Sequence, residues 1–194
     1  MLILASGSPR RAKILKDLGV EFEIVKSDAE EVSYTHDPER TVRENAIAKG
    51  KAVRHSTLQT PTSTLSVLSA DTIVWFNNRI YGKPKDFAEA KEYLRELSGN
   101  VHTVFTGVAL RKSYPPALGR SEEVDVCVVR SDVKFRKLTD AMIDEYVARV
   151  KPTDRAGAYD IDESGDLIVE SFSGSYENIM GLPVEPLKEW KIVR

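Results

Sequence analysis

Hydrophobic residues along this chain recur at two spacings, one typical of strands and one typical of helices. The apolar run Leu2–Ala5 predicts a short buried strand that leads directly into a turn of small residues. Ser8 and Pro9 then suit the N-cap and the first position of a helix, which Gly19 would end. The predicted buried side of this helix is formed by Ile14, Leu15 and Leu18.

Four further helices are predicted, and they begin at Asp37, Asp86, Thr139 and Pro183. Asp86 and Glu89 have the spacing of a capping box, and Gly99 would end that helix. In the first of the four, Lys49 would lie on the same side as the core-facing Val42. The apolar positions expected in the core are Val42, Ala46, Val53, Phe87, Ala90, Tyr93, Leu94, Leu97, Met142, Ile143, Tyr146, Val147, Val150, Leu187 and Trp190.

Apolar runs with β-branched residues predict further strands at Phe22–Val25, Leu65–Ala70, Ile73–Phe76, Ile80-Tyr81, Val101–Leu110, Glu122–Phe135 and Ile168–Phe172. Asn77-Asn78 would form a hairpin turn, Ser113–Arg120 would connect the two long strands, and the polar segment Ser56–Thr64 would be a surface loop. Strands alternate with helices at both ends of the chain. We therefore expect an α/β fold around a mixed sheet, with residues 1–194 as a single domain.

Composition narrows the class of protein. Hydrophobic residues make up 41% of the chain and charged residues 30%, as in folded globular proteins. The net charge of −2 argues against non-specific nucleic-acid binding, because such binding needs a basic surface. No apolar stretch approaches the ~20 residues that span a membrane, and the single Cys127 cannot form an intrachain disulfide. A cytoplasmic protein without a nucleic-acid or membrane partner is expected.

The first candidate for chemistry is the segment from Ser6 to Arg11. Its backbone N–H groups would lie at a helix N-terminus, where the helix dipole favours an anion. The hydroxyls of Ser6 and Ser8 and the guanidinium groups of Arg10 and Arg11 add donors that suit phosphate. An ordinary helix cap with two solvated arginines accounts for the same residues.

Acidic residues form the second candidate. Asp71 follows an apolar strand, where α/β sheets place their ligands, and a carboxylate there can bind a divalent metal or accept a proton from water. Glu31, in a loop after a strand, can supply the second carboxylate of a Mg²⁺ site. A structural turn at Asp71, a solvated Glu31 and a solvated turn at Lys83 remain open.

A third segment couples Asp154 and Arg155 to the small residues Ala156–Ala158 and then Tyr159. Small residues allow a flat ligand or another backbone to approach closely. Zinc is not expected, because the three histidines are scattered without the spacing of zinc ligands.

The order of these blocks along the chain, from Leu2 to about Leu187, resembles the Maf-like nucleotide pyrophosphatases. Further matching blocks are Ser69-Ala70-Asp71-Thr72, Gly82-Lys83-Pro84, Ser98-Gly99 with His102, and Gly181-Leu182-Pro183. The resemblance implies an elongated mixed β-sheet flanked by helices, with two lobes around one cleft, similar to the inosine-triphosphate pyrophosphatases. It also implies hydrolysis of a nucleoside triphosphate to the monophosphate and pyrophosphate with Mg²⁺ or Mn²⁺.

The resemblance also assigns residues. Asp71 matches the family's catalytic carboxylate and metal ligand, and Glu31 matches its acidic metal-binding position. Lys83 matches a basic residue beside the triphosphate and is grouped with the catalytic residues. The residues expected to bind substrate are Ser6, Ser8, Arg10, Arg11, Lys49, Thr72, Asp154, Arg155 and Asp162.

Within the family, the chain is similar to the branch that acts on thymidine and uridine triphosphates, which Arg10 and Thr72 fit. It departs from that branch at Asp162, Arg155 and Ser69, where glutamine, lysine and glycine are usual. Asp162 replaces an amide donor with a carboxylate at a position tied to base selection, so another or a modified nucleotide stays open as substrate. A nucleotide-binding regulator of cell division with little turnover stays open too, as does a homodimer.

Overall fold

The computed structural model describes residues 1–53, 64–119 and 122–193. Its strands are β1 (Leu2–Leu4), β2 (Glu23–Ile24), β3 (Leu65–Phe76), β4 (Arg79–Tyr81), β5 (Val101–Ser113), β6 (Glu123–Phe135) and β7 (Val169–Ser173). Its helices are α1 (Pro9–Asp17), α2 (Pro38–Ala52), α3 (Phe87–Leu97), α4 (Asp140–Val150), α5 (Tyr176–Met180) and α6 (Glu185–Glu189). The predicted loop Ser56–Thr64 lies outside the described residues except for its last position.

The described strands form one sheet in the order β2-β1-β3-β5-β6-β7, and β4 also pairs with β3. β1 runs parallel to β2 and β3, whereas the other pairings are antiparallel. The predicted mixed sheet of an α/β fold is therefore confirmed. The Asn77-Asn78 hairpin is confirmed too, since both residues have the positive φ of a two-residue turn. None of the described helices has the length and apolar character needed to cross a membrane.

Asp71 lies inside a strand and not at its end, so the predicted break there is wrong. β3 continues past it because β5 pairs with β3 along almost its whole length in unbroken antiparallel register. On the other side of β3, β1 covers only Ser66–Leu68, and β4 begins its pairing at Val74. No described strand pairs with the edge between them, so β3 is open on that side at Asp71 and Thr72.

Helix α2 packs closely on one face of β3 and β5. Gly107 of β5 lies under the helix backbone, and a Cβ there would be 2.2 Å from the carbonyl oxygen of Val42. Gly50 of α2 lies over Ser69, whose hydroxyl donates to the carbonyl oxygen of Ala46 at 2.7 Å. Two glycines, one on each partner, therefore allow the helix to approach the sheet.

Two large hydrophobic clusters occupy the opposite face of the sheet. β3 contributes Ala70 to one cluster and Val74 to the other, and Thr72 lies between them. Thr106 of β5 is directly opposite Thr72 and is fully buried. A polar pair of threonines therefore separates the two clusters.

Some predicted boundaries and core positions are wrong. Leu18 forms the C-cap of α1 and is exposed, and Phe87 is exposed as the first residue of α3. Both lie at helix ends, where the neighbouring layer no longer covers them.

The carboxylate of Glu89 accepts from the backbone N–H of Lys85, one residue before the N-cap, so the predicted capping box is incomplete. The last helix, α6, begins at Glu185, two residues later than predicted.

His102 is a buried imidazole within an aromatic cluster. Its Nε2 lies 3.0 Å from the hydroxyl oxygen of Tyr159, and the edges of Tyr159 and Phe135 pack around the ring. Its Nδ1 has no hydrogen-bond partner among the described residues. Burial lowers the pKa of His102 to about 3. The ring is therefore neutral in the folded protein at neutral pH.

We expect Gly107→Ala to lower the free energy of unfolding by about 1–3 kcal/mol, because the new methyl group would collide with the backbone of α2. Urea denaturation of both proteins measures the change. Gly82→Ala is the matched control, since a Cβ at Gly82 meets no atom within 4 Å. Equal midpoints for Gly107→Ala and the control would show that the helix does not need this close approach.

The neutral His102 also predicts a pH dependence of stability. Between about pH 6.5 and 3 the unfolded chain binds a proton on this ring that the folded chain does not bind, so the free energy of unfolding falls as the pH is lowered. From pH 7 to pH 5 we expect the natural protein to lose about 2 kcal/mol more stability than His102→Gln. Urea titrations of both proteins at the two pH values test this, and equal losses would contradict it.

Candidate functional site

A cavity of about 800 Å³ lies at the open edge of β3. It is bounded by the end of β1, the N-terminus of α1, the loop after β2, the inner side of α2 and the turn after β4. Ten of the predicted site residues line it: Ser6, Ser8, Arg10, Arg11, Glu31, Lys49, Asp71, Thr72, Lys83 and Asp154. Arg155 and Asp162 are not among the lining residues.

Asp71 is the most buried carboxylate beside α2, with 5% of the residue exposed. Its Oδ1 lies 2.5 Å from the ammonium nitrogen of Lys49, and its Oδ2 accepts from the side-chain amide of Asn45 at 3.0 Å. A buried carboxylate needs such partners because desolvation otherwise disfavours its charge. The close packing of α2 supplies both of them.

The loop that carries Glu31 is held to the same helix. Asn45 accepts from the backbone N–H of Val32 and donates to its carbonyl oxygen. The carboxylate of Glu31 lies 2.7 Å from the ammonium nitrogen of Lys49. Asn45 was not among the predicted site residues. The sequence does place this polar residue on the core-facing side of α2, next to Val42 and Ala46, and a polar residue there indicates a buried partner.

Asp71 and Glu31 both contact one cation, so their carboxylates converge on a single position. Among the described residues, no group of three or more acidic, histidine or cysteine side chains is placed to hold a metal ion. Mg²⁺ is commonly bound by one or two carboxylates, with water and substrate phosphates as its other ligands. The two carboxylates therefore fit a divalent cation that binds together with an anionic ligand.

The N-terminus of α1 presents hydrogen-bond donors to the cavity. Ser8 occupies the N-cap position, but its side chain makes no capping bond. Its backbone N–H donates to the hydroxyl oxygen of Ser6 at 3.1 Å, and Arg11 donates to the same oxygen at 3.1 Å. Both lone pairs of Ser6 are then occupied, and within the described chain no acceptor receives its proton. The Ser6 hydroxyl can therefore act only as a donor towards a ligand.

The two adjacent arginines have different positions. Arg11 is partly buried, donates to Ser6, Thr72 and the carbonyl oxygen of Gly181, and has its pKa lowered to about 10 by desolvation. It remains protonated at neutral pH and connects β1, β3 and the end of α5. Arg10 also lines the cavity, and its guanidinium pairs with Asp160.

Arg10 is held by a carboxylate that sequence analysis did not select. Asp160 accepts from Arg10 at 3.4 Å and from Arg155 at 3.0 Å, and only 4% of its side chain is exposed. Arg155 also binds Asp154 and Glu163, so it supports the cavity wall from behind. No motif marked Asp160, because a lone carboxylate after a run of small residues looks like any other loop aspartate.

Asp162 is half exposed and does not line the cavity. Its carboxylate accepts from the hydroxyl of Tyr176 at 3.2 Å and lies 3.7 Å from the ammonium nitrogen of Lys13.

Two lysines provide exposed positive charge at the cavity. Lys83 follows β4, and Lys26 follows β2, and neither forms an ion pair within the described part of the chain. The stem of Lys26 passes over Gly7, where a Cβ would lie 3.2 Å from its Cε. Lys26 was missed because a single lysine in a polar loop is usually solvated.

The fold and the cavity define an α/β protein that can bind an anionic ligand beside a pair of carboxylates. The chain belongs to the Maf-like protein family, whose model matches residues 1–190. The family expected from the sequence is thereby confirmed.

Several relatives carry the name dTTP/UTP pyrophosphatase. One from Thermosipho melanesiensis is 36% identical over 192 residues, covering 99% of this chain and 96% of the relative. One from Bacillus thuringiensis subsp. konkukian is 41% identical and covers 96% of this chain and 91% of the relative. Among solved structures, the Ham1 protein of Staphylococcus aureus is 17% identical with a TM-score of 0.36, covering 68% of this chain and 71% of that one.

We expect Asp160→Asn to lower the free energy of unfolding by about 1–3 kcal/mol, because Arg155 would lose a buried charged partner. Glu163→Gln is the matched control, since it removes a half-exposed partner of the same arginine. Chemical denaturation compares the two variants. An effect of the control as large as that of Asp160→Asn would mean that burial of Asp160 is not what matters.

Proposed function

We propose that this protein hydrolyses dTTP and UTP between the α and β phosphates, with the monophosphate and pyrophosphate as products. The observation that carries the proposal is the convergence of Asp71, Glu31 and Lys49 at one point of a cavity that also contains the N-terminus of α1. The names of the relatives support the substrates, because those matches extend over 94% or more of this chain.

The triphosphate binds along the side of the cavity that is rich in donors. The Ser6 hydroxyl donates to phosphate oxygens, and the positive end of the α1 dipole favours their negative charge. Arg10, Lys26 and Lys83 add positive charge around them. These groups stabilise the charge that builds on the leaving pyrophosphate, and catalysis of phosphoryl transfer depends mainly on such electrostatics and positioning.

Asp71 and Glu31 would hold Mg²⁺ or Mn²⁺, whose remaining ligands in such sites are usually water and substrate phosphates. When bound, a divalent ion neutralises phosphate charge and lowers the pKa of a coordinated water. Lys49 neutralises the two carboxylates while the ion is absent, and it adds a cation beside the phosphates when the ligand is present.

Asp71 accepts the proton of the attacking water. Its Oδ2 is held by Asn45, and its Oδ1 is directed towards Lys49. The carboxylate is thereby kept in one orientation, which lowers the entropic cost of placing a base beside the α-phosphorus.

The base lies towards Thr72 and the small residue Ala156, both of which line the cavity. Asp162 lies outside the lining, so in this proposal it does not contact the base directly. The departure at Asp162 from the branch pattern therefore does not by itself argue for a different nucleotide.

The proposal also includes a cytoplasmic location, which a lone cysteine suits, since a single thiol cannot form an intrachain disulfide. A homodimer remains a prediction, and sedimentation of the purified protein would test it.

Asp71→Asn should lower turnover of UTP and dTTP by about 10²–10⁴-fold, because the variant keeps the shape of the side chain but cannot accept a proton. Products are separated by ion exchange after incubation with a panel of triphosphates and Mg²⁺, Mn²⁺ or a chelator. Asp144→Asn is the matched control, since Asp144 of α4 pairs with Lys91 of α3 and neither residue lines the cavity.

Near-normal turnover of Asp71→Asn would contradict the role of Asp71 and leave the reaction intact. Monophosphate and pyrophosphate from another base would keep the reaction and change the substrate. Diphosphate with orthophosphate would contradict the proposed bond. Nucleotide binding with no turnover in any metal would favour the regulator.

A further inference from the structure

A chain of hydrogen bonds runs behind the cavity, from Arg11 through two threonines to the backbone of α5. Arg11 donates to the hydroxyl oxygen of Thr72 at 3.0 Å. The hydroxyl oxygens of Thr72 and Thr106 lie 3.0 Å apart. Thr106 in turn donates to the carbonyl oxygen of Asn178 at 3.1 Å.

Only one assignment of donors and acceptors satisfies all three hydrogen bonds. A carbonyl oxygen can only accept, so the single proton of Thr106 goes to Asn178. Thr106 must then accept from Thr72, which uses the single proton of Thr72. A guanidinium can only donate, so Thr72 accepts from Arg11. Because Thr106 is fully buried and Thr72 only partly, this assignment is set inside the protein, away from solvent.

The Thr72 hydroxyl consequently has one lone pair left and no proton to offer. It lines the cavity and can bind a ligand only by accepting a hydrogen bond. Ser6, on the other side of Arg11, has the opposite character, because it accepts twice and retains its proton. The guanidinium of Arg11 therefore separates a donor hydroxyl from an acceptor hydroxyl.

We propose that Thr106 is a specificity-determining positioning residue, which holds the Thr72 hydroxyl as an acceptor for a ring N–H of the substrate base. The inference rests on the proposed function, in which the base lies beside Thr72. Uracil and thymine carry a proton on N3, whereas N3 of cytosine is an acceptor. If CTP binds with its ribose and triphosphate in the same positions as those of UTP, N3 of cytosine meets the Thr72 hydroxyl oxygen, and both atoms are acceptors.

Mismatched hydrogen-bonding groups in a desolvated site discriminate strongly between substrates of the same shape. We expect the natural protein to prefer UTP over CTP in kcat/KM by about tenfold or more. Thr106→Val removes the acceptor for the Thr72 proton at almost constant volume. The Thr72 hydroxyl can then turn and donate, so the preference for UTP should fall at least about threefold, through slower UTP and faster CTP hydrolysis.

Thr106→Ser is the conservative variant, because it keeps the hydroxyl, and it should retain the preference. Thr103→Val is the matched control on the same strand, since the Thr103 hydroxyl donates to the half-exposed Asp132 outside the cavity. If Thr106→Val does not fold, Thr106→Ala removes the same hydroxyl without adding volume. Calorimetric titration with UTP and CTP provides a second measurement that needs no turnover.

The outcomes separate this inference from the proposed function. Release of pyrophosphate from UTP and CTP at equal kcat/KM would overturn the inference and leave the pyrophosphatase intact. An unchanged preference in Thr106→Val, or a loss of preference in Thr106→Ser, would overturn it too. Absence of turnover would contradict the proposed function, and equal dissociation constants for UTP and CTP would then also overturn the inference.

Discussion

The rest of the site depends on the close packing of α2 against β3 and β5. Gly107 and Gly50 remove the two methyl groups that would hold the helix away from the sheet. Only at this distance do Asn45 and Lys49 of α2 contact the buried Asp71. An isolated carboxylate at that depth would be costly, so the helix position and the charge of Asp71 support each other.

The open edge of β3 explains why the cavity lies where it does. β1 ends early and β4 begins late, so the strand between them has a partner on one side only. Because side chains alternate along a strand, Asp71 faces α2 while Thr72 faces the opposite layer, and both reach the same opening. A carboxylate and a hydroxyl are thereby supplied to the cavity by consecutive residues from two faces of one strand.

Some charged side chains in the cavity already have partners within the protein, and others are available to bind a ligand. Arg11 is partly buried and bound to three oxygens, and it organises the hydroxyls of Ser6 and Thr72. Lys26 and Lys83 make no ion pair with any residue that the structure describes. The cavity therefore combines hydroxyls held in a fixed orientation with positive charge that is free to pair with an anionic ligand.

The sequence by itself determined the mixed α/β fold and most helix starts, because turn residues, caps and periodic apolar positions act locally. The order of its motifs also identified the family. Ten of the twelve predicted site residues also line the cavity. Only the tertiary structure decided that β3 continues through Asp71, that Asn45 and Asp160 hold neighbouring charges, and that Asp162 lies outside the cavity lining. These features depend on pairing between residues that are distant in the chain, and local patterns carry no information about such partners.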